Sequence, residues 1–366
     1  MSEDERLVAS IIVVAYNDRK YLEACLSALL DQDQPAADYE VIYADNASTD
    51  GSADFVERHF PAVRVIRFAQ NLGFTGGNNK AAEFARGRYI VFQNADTIAH
   101  RRWLSELIRA VRSDPLVKAA HPSGAPLNFG GYNERQAPVA RGVKCELTRY
   151  GYVDFTENSL DGEMEPTLFI AGGSLLIDSN IHDELRYYFD PSYFIYNEDT
   201  DLGLRINNLG YKILYVPSAV CYHQRAPSRR MALNRKGLRM AYLVTRNRFI
   251  TFYKNMNTLE FLLALPLIYM GSIVKLRTLP LGRAKKVIYG AGLVPHTLFA
   301  LGAALLRLPA YREERAYILS RRSDRPRFWL LQELWRRPVP PRTPLTYGDA
   351  PQQPTPGGED FSVSRA

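Results

Sequence analysis

The chain has 366 residues, room for one large or two modest folded units, and its apolar share of 46% and charged share of 23% suit an ordinary folded protein. Its three cysteines, Cys25, Cys145 and Cys221, are far apart and show no metal-ligand spacing, which excludes a disulfide framework and fits a reducing compartment. The net charge of +7 hides a division, with Lys plus Arg against Asp plus Glu at 22 to 31 over residues 1–228 and 23 to 5 over residues 229–342. The acidic opening, Met1 to Arg6, lacks the pattern of a signal peptide. Residues 10–15 (SIIVVA) are a β-branched apolar run, as in a strand buried on both faces of a parallel sheet. Tyr16-Asn17-Asp18 ends it, and residues 21–30 have helical spacing. Residues 39–44 read as a second strand closing on Asp45-Asn46-Ala47-Ser48-Thr49-Asp50-Gly51-Ser52. A helix over 52–60 and a third strand over 63–68 follow. Asn71-Leu72-Gly73-Phe74 and Gly76-Gly77-Asn78-Asn79 open a helix reaching about Ala85, and residues 89–92 form a fourth strand ending on Gln93-Asn94-Ala95-Asp96-Thr97.

This alternation of strand and helix predicts a doubly wound α/β half, which takes ligands outside the carboxyl ends of its strands. Those ends carry Asn17 and Asp18, Asp45 to Asp50, and Asn94 with Asp96. Neither G-x-G-x-x-G nor a Walker loop follows the first strand, which argues against a dinucleotide fold and a P-loop NTPase. Residues 123–167, rich in Gly, Pro, Asn and Tyr, read as loop and short strands over one face. Residues 169–177 (FIAGGSLLI) return as an apolar strand, in which Gly172 and Gly173 predict a bulge or the close approach of a ligand. An aromatic run then leads to Glu198, Asp199 and Asp201, a crowding of carboxylates that needs a cation, an arginine or a shared proton. The plainer reading is an acidic helix start with Asp199 or Thr200 as N-cap. The helix is expected from Leu202 to Leu209, with strands over 211–216 and 220–223, the last ending on His223.

In this order the motifs resemble those of family-2 glycosyltransferases of the GT-A fold, over about residues 8–250. The likeness rests on Val13-Val14-Ala15-Tyr16-Asn17, the Asp45–Ser52 run, Asn71 to Asn79, Asn94-Ala95-Asp96-Thr97, and Glu198-Asp199-x-Asp201 with Arg205 and Gly210-Tyr211. It implies a doubly wound mixed sheet with helices on both faces and a catalytic domain over 1–228. Residues 8–120 would be its nucleotide-sugar half and 121–228 its acceptor and base half. It implies inverting, metal-dependent transfer from a dTDP- or UDP-sugar, dTDP-L-rhamnose foremost, to a hydroxyl of a lipid-linked or polysaccharide glycan, as in bacterial cell-surface polysaccharide synthesis. Asp199 is then the general base, because such a transfer needs a carboxylate within reach of the acceptor hydroxyl. Donor contacts fall to Ala15, Tyr16, Asn17, Asp45, Asn71, Asn78, Asn94 and Asp96, with Asp45 accepting from the ring N–H of uracil or thymine. Gly172, Gly173 and Glu198 fall to the acceptor; Asp201 either caps the helix or pairs with Arg205.

Asp96 and His223 are the implied protein ligands of Mg²⁺ or Mn²⁺, His223 being similar to a histidine that closes over the metal in some members. Asn94 replaces a family carboxylate, so the donor diphosphate would bring much of the coordination. Plainer readings are a polar strand-ending turn for residues 94–97, an Asx turn for Asp45 and an ordinary core histidine at 223. A sugar nucleotidyltransferase lacks support, because Tyr16-Asn17-Asp18-Arg19 is not its glycine-rich loop. The stronger rival is a non-catalytic nucleotide-sugar or glycan-binding relative with a degraded metal motif.

Residues 229–254 read as a helix with Arg235, Arg239 and Arg246 on one face and Leu238, Ala241, Phe249 and Phe252 on another. Residues 261–274 and 287–306 are uncharged, and the second stretch is long enough to span a bilayer. A hairpin would carry Lys275, Arg277, Arg283, Lys285 and Lys286 across, against the positive-inside tendency. Interfacial or shallowly re-entrant helices are therefore favoured over spanning ones, with Trp329 and Trp335 as anchors. This predicts a membrane-associated region over 229–337, peripheral or monotopic at the cytoplasmic face, and a disordered tail over 338–366. Long uncharged stretches between the charges suit anionic lipid and not nucleic acid. A polyprenyl-diphosphate-linked acceptor would suit the arginines, and the oligomeric state stays open.

Overall fold

A computed structural model describes residues 7–126, 142–223, 235–277, 283–322 and 325–337. The chain runs β1 (Ala9–Ala15), α1 (Arg19–Leu30), β2 (Tyr39–Asp45), α2 (Ser52–His59), β3 (Val63–Arg67), α3 (Gly73–Ala82), β4 (Tyr89–Asn94), β5 (Thr97–Ala99), α4 (Trp103–Arg112) and β6 (Val117–Pro126). It continues as β7 (Gly142–Leu147), β8 (Val153–Asn158), β9 (Glu165–Thr167), β10 (Ser174–Asp178), α5 (His182–Leu185), α6 (Glu198–Asn208) and β11 (Lys212–His223). The helices α7 (Arg235–Asn255), α8 (Thr258–Arg277), α9 (Arg283–Arg307), α10 (Arg312–Ser320) and α11 (Trp329–Arg336) follow.

The strands form one mixed sheet in the order β3-β2-β1-β4-β10-β6-β11-β5, with the β7–β8 hairpin attached to β6 and β9 paired to β11. β1 lies parallel to both β2 and β4, pairing Ala15 with Asp45 and Val14 with Asn94. β10 enters antiparallel to β4. In the order 3-2-1-4 the chain reverses direction of travel across the sheet between β1 and β4, so a crevice opens at their carboxyl ends. Alternate residues of β1 serve opposite faces. Ile11 and Val13 pack with Leu22, Leu26, Trp103 and Leu107 of α1 and α4, while Ile12 packs with Ala81, Leu202 and Ile206 of α3 and α6.

A third core joins Leu147, Phe169, Tyr193 and Leu204 to Phe249, Phe252, Phe261, Trp329 and Leu330. The C-terminal helices thus complete the core beneath β7, β8 and α6. The expected boundary at residue 228 lies outside the described residues, as do the opening residues 1–6 and the tail expected to be disordered.

Several expectations are corrected. Helix α6 starts at Glu198 instead of Leu202, so all the clustered carboxylates lie in its first turn, where the helix N-terminus favours negative charge. Its N-cap is Asn197, in the left-handed region at φ 66°, and neither Asp199 nor Thr200. The strand expected over 169–177 begins only at Ser174, because the glycines before it turn along the site. The two last strands are one, β11, with a register irregularity between Val216 and Val220, where Pro217 lacks an N–H for the ladder.

Arg246, expected on a basic face of α7, is buried, as are Arg248 and Lys254. Trp329 is buried in the core, while Trp335 is exposed. Among the described residues, no helix is long and apolar enough to cross a membrane.

Candidate active site

At the crevice the turns after β1 and β2 brace each other. Asn17, at φ 57°, accepts through Oδ1 from the Thr49 N–H at 2.8 Å, and its own N–H donates to Ser48 Oγ at 3.0 Å. Asp45 is buried and forms the Asx turn, accepting from the Ser48 N–H at 3.0 Å and from the Tyr43 hydroxyl at 3.1 Å. Asn71 Oδ1 accepts from the Gly73 N–H at 2.8 Å and from Asn46 Nδ2 at 3.2 Å. Ala15 is buried and its carbonyl accepts from the Asn46 N–H, while the Tyr16 side chain stands exposed at the rim. Asn78 is placed differently from its expected role: it is buried within α3 and its amide donates to the Phe74 carbonyl at 2.9 Å.

The Asn94–Thr97 motif meets the end of β11, because β5 pairs Thr97 with His223. Asp96 Oδ1 lies 3.2 Å from His223 Nε2. The Asn94 N–H donates to the Gly173 carbonyl at 3.0 Å. A Cβ on Gly173 would stand 3.4 Å from Asn94 Nδ2 and 3.9 Å from His223 Nε2. A Cβ on Gly172 would stand 3.1 Å from Asp199 Cβ, closer than most real contacts. The two glycines are therefore a side-chain-free floor between Asp199 and the Asn94, Asp96 and His223 group. Above it lies a cavity of about 260 Å³, walled on its other side by Cys145, Val153, Phe155 and Phe169.

Among the described residues, no group of three or more His, Cys, Asp or Glu side chains could hold a metal alone. Asp96 and His223 supply one carboxylate and one imidazole, which fits a divalent cation completed by phosphate oxygens and water. Asp18 approaches the same group, and burial together with the charges of Asp96 and Asp50 raises its pKa.

Glu198 is buried and Asp199 half-buried beside it. Burial pushes the Asp199 carboxyl up to about 6, opposed by backbone N–H groups of Thr200 and Gly172. The Thr200 N–H donates to Asp199 Oδ1 at 2.6 Å. Burial and the Asp199 charge push Glu198 well above the usual carboxylate range. Glu198 Oε2 is buried without a hydrogen-bond partner among the described residues. Burial thus favours the protonated form of both carboxyls, and of Glu198 more strongly.

Asp201 plays another part. It is fully buried, accepting from Arg205 Nε at 2.8 Å, Lys254 Nζ at 3.1 Å and Asn255 Nδ2 at 3.1 Å. Lys254 also donates to Asp190 at 2.6 Å and to the Tyr187 hydroxyl at 3.1 Å. It stands 2.8 Å from Glu314 Oε1, an ion-pair distance without hydrogen-bond geometry. Burial pushes the Glu314 carboxyl up to about 7.

The segment before α6 is strained. Phe194, Tyr196 and Asn197 have φ of 64°, 75° and 66°, a region that costs non-glycine residues about 1–3 kcal/mol each. Its carbonyls are all engaged. That of Phe194 accepts from the Phe74 N–H at 2.9 Å, and that of Asn197 from the Asp201 N–H at 2.9 Å. The carbonyls of Tyr193, Ile195 and Tyr196 accept from Asn247 Nδ2 at 3.3, 3.0 and 2.8 Å. Asn247 and Lys254 are absent from the site expected from sequence. Their signal is a polar stripe, Asn247, Thr251, Lys254 and Asn255, at helical spacing and interleaved with the apolar Phe249, Ile250 and Phe252.

Comparison with known proteins bears on what this arrangement does. The Glycosyl transferase family 2 model matches residues 10–167, and the Glycosyl transferase family group 2 model matches residues 89–308. Over 241 residues the chain is 27% identical to the N-acetylglucosaminyl-diphospho-decaprenol L-rhamnosyltransferase of Mycobacterium tuberculosis, covering 60% of this chain and 77% of that one. Among solved structures, S. aureus TarS in complex with UDP-GlcNAc aligns at a TM-score of 0.54 and 17% identity, covering 90% of this chain and 92% of that one. The mannosyltransferase PcManGT from Pyrobaculum calidifontis, in complex with GDP-Man and Mn²⁺, aligns at 0.52 and 19% identity, covering 86% of each chain.

Proposed function

The chain belongs to glycosyltransferase family 2 and is a glycosyltransferase, and from that premise we propose that it inverts the anomeric carbon of a dTDP- or UDP-sugar. The carrying observation is the Asp199 carboxyl facing Asp96 and His223 across the Gly172-Gly173 floor. An acceptor hydroxyl in the cavity donates to the Asp199 carboxylate. Its oxygen forms the bond to the anomeric carbon as the bond to the diphosphate oxygen breaks; the diphosphate leaves with that electron pair and Asp199 keeps the proton. Glu198, neutral, donates to a second acceptor oxygen. Asp96 and His223 would hold a Mg²⁺ or Mn²⁺ ion, which when bound neutralises charge on the departing diphosphate. Asp45 reads the nucleobase through lone pairs left by its Asx turn, with Asn17 and Asn71 shaping the turns around the donor.

The mycobacterial relative's printed name supports a rhamnosyl donor and a polyprenyl-diphosphate-linked acceptor for this chain too. Such an acceptor places the enzyme at a membrane. Helix α8 exposes Leu259, Leu262, Leu263 and Met270 on one face, and α9 exposes Leu298, Phe299 and Leu306. Arg327 flanks Leu259 and Leu262, while Trp335 and Arg336 flank Leu263. Apolar faces rimmed by arginine and tryptophan suit the interface of an anionic leaflet.

The test is release of nucleoside diphosphate from a panel of dTDP- and UDP-sugars, with membrane lipid extract, in Mn²⁺ and in EDTA. Turnover of one donor that EDTA abolishes supports the reading. A donor that binds without turning over would replace it with a binding relative in which Asn94 has cost catalysis.

A further inference from the structure

We propose that Asn247, in the C-terminal helix α7, is a positioning residue for the catalytic base. This rests on the reading of Asp199 as that base. The segment delivering Glu198 and Asp199 into the cavity holds three non-glycine residues in the left-handed region within four positions. Aromatic side chains such as Phe194 and Tyr196 rarely adopt it, so the surroundings must impose it. From the donor side, the first N–H groups of α3 take the Phe194 carbonyl, and the Phe194 ring lies over Gly73, where any Cβ would stand 2.5 Å from it. From the other side there is Asn247, whose amide nitrogen serves the Tyr193, Ile195 and Tyr196 carbonyls together.

The orientation of that amide is chemically fixed. Arg246 donates to Asn247 Oδ1 through Nε at 2.8 Å and Nη2 at 2.6 Å, and a guanidinium only donates. The nitrogen must therefore face the carbonyls. Asn247 is fully buried, so its amide is held within the protein and not by bulk water. Without it, the Ile195 and Tyr196 carbonyls lose this donor, the left-handed run keeps only its restraint from α3, and the first turn of α6 carries Asp199 away from Gly172. Misplacing a reacting group by about 1 Å costs on the order of a hundredfold in rate. The C-terminal region therefore belongs to the catalytic machinery.

The test compares Asn247→Ala and Asn247→Ser with Gln32→Ala, which deletes a buried amide outside the cavity lining, whose nitrogen bonds the Ala28 carbonyl at 2.8 Å. Donors are those found by the nucleotide-release panel. Asn247→Ala should lower kcat about a hundredfold with donor KM within about twofold, and Asn247→Ser, which keeps one donor, should fall between. The acidic limb of kcat should move to lower pH as water reaches Asp199. Hydrogen exchange should show lost protection at residues 193–198 in both variants and not in Gln32→Ala. The proposal is overturned if Asn247→Ala keeps kcat within about threefold of Gln32→Ala, or if the loss appears in donor KM instead of kcat. Should wild type turn over no donor, the exchange arm decides alone. Unchanged protection at 193–198 overturns the positioning, while lost protection upholds it and only the functional reading falls.

Discussion

At the scale of single residues the chemistry turns on which of two adjacent carboxylates is charged. Asp199, with its carboxyl pushed up to about 6, should give kcat an acidic limb near that pH and a plateau above it, read from a pH–rate profile. The same burial has a sign for stability. A group whose folded pKa is raised stabilises the fold only while protonated, so its contribution is present below the unfolded value of 3.8 and is lost as pH rises through about 6. Asp199→Asn should therefore melt at higher temperature than wild type above pH 6 and show no gain below pH 3.8, checked by calorimetry at both ends. Glu198→Gln, which leaves Asp199 as the one titrating carboxyl of the pair, should keep an acidic limb.

Asp199, Asp96, His223 and the two glycines were legible in the sequence because each sits at an element end where polar or glycine residues interrupt an apolar pattern. The direction of Asn78 was not legible. A helical asparagine can face out or bond back to the turn before it, and only packing decides.

Among elements, the sequence's strand–helix alternation was clear from β1 to β4, where apolar runs are continuous and turns are rich in Asn, Asp and Gly. It failed where local pattern and tertiary context part. The apolar run at 169–173 looks like strand, but its glycines line the site, and Pro217 looks like a break, yet β11 passes through it with a shift of register. The arginines of α7 look like a solvated face because periodicity reports polarity and not burial. In the fold, α7 packs between the base helix and α10, and Lys254 joins them. Lys254→Met would leave Asp190 buried without its cation and Asp201 with Arg205 alone, and removing one partner of a buried pair costs about 3–5 kcal/mol. Urea unfolding should show that loss in the midpoint, whereas Arg67→Met, at an exposed pair, should move it little.

For the whole molecule, an acidic half and a basic helical half share one core, and the segment leading to Glu198 and Asp199 is held by residues from both. The outward apolar faces of α8 and α9 carry the proposed membrane contact. Vesicles containing an anionic phospholipid should bind the protein more tightly than neutral ones, with binding weakened by salt. Leu262→Asp with Leu263→Asp should cut vesicle binding about tenfold or more without changing nucleotide binding, in a flotation assay beside calorimetry with UDP.

The central claim is that Asp199 removes the proton of the acceptor hydroxyl. The measurement that meets it most directly is turnover by wild type and Asp199→Asn with the donor identified from the panel, nucleoside diphosphate binding being followed in parallel. We predict a loss of about a thousandfold in kcat with nucleotide affinity retained. Turnover by Asp199→Asn within about tenfold of wild type would contradict the account, because a positioned general base contributes more than that.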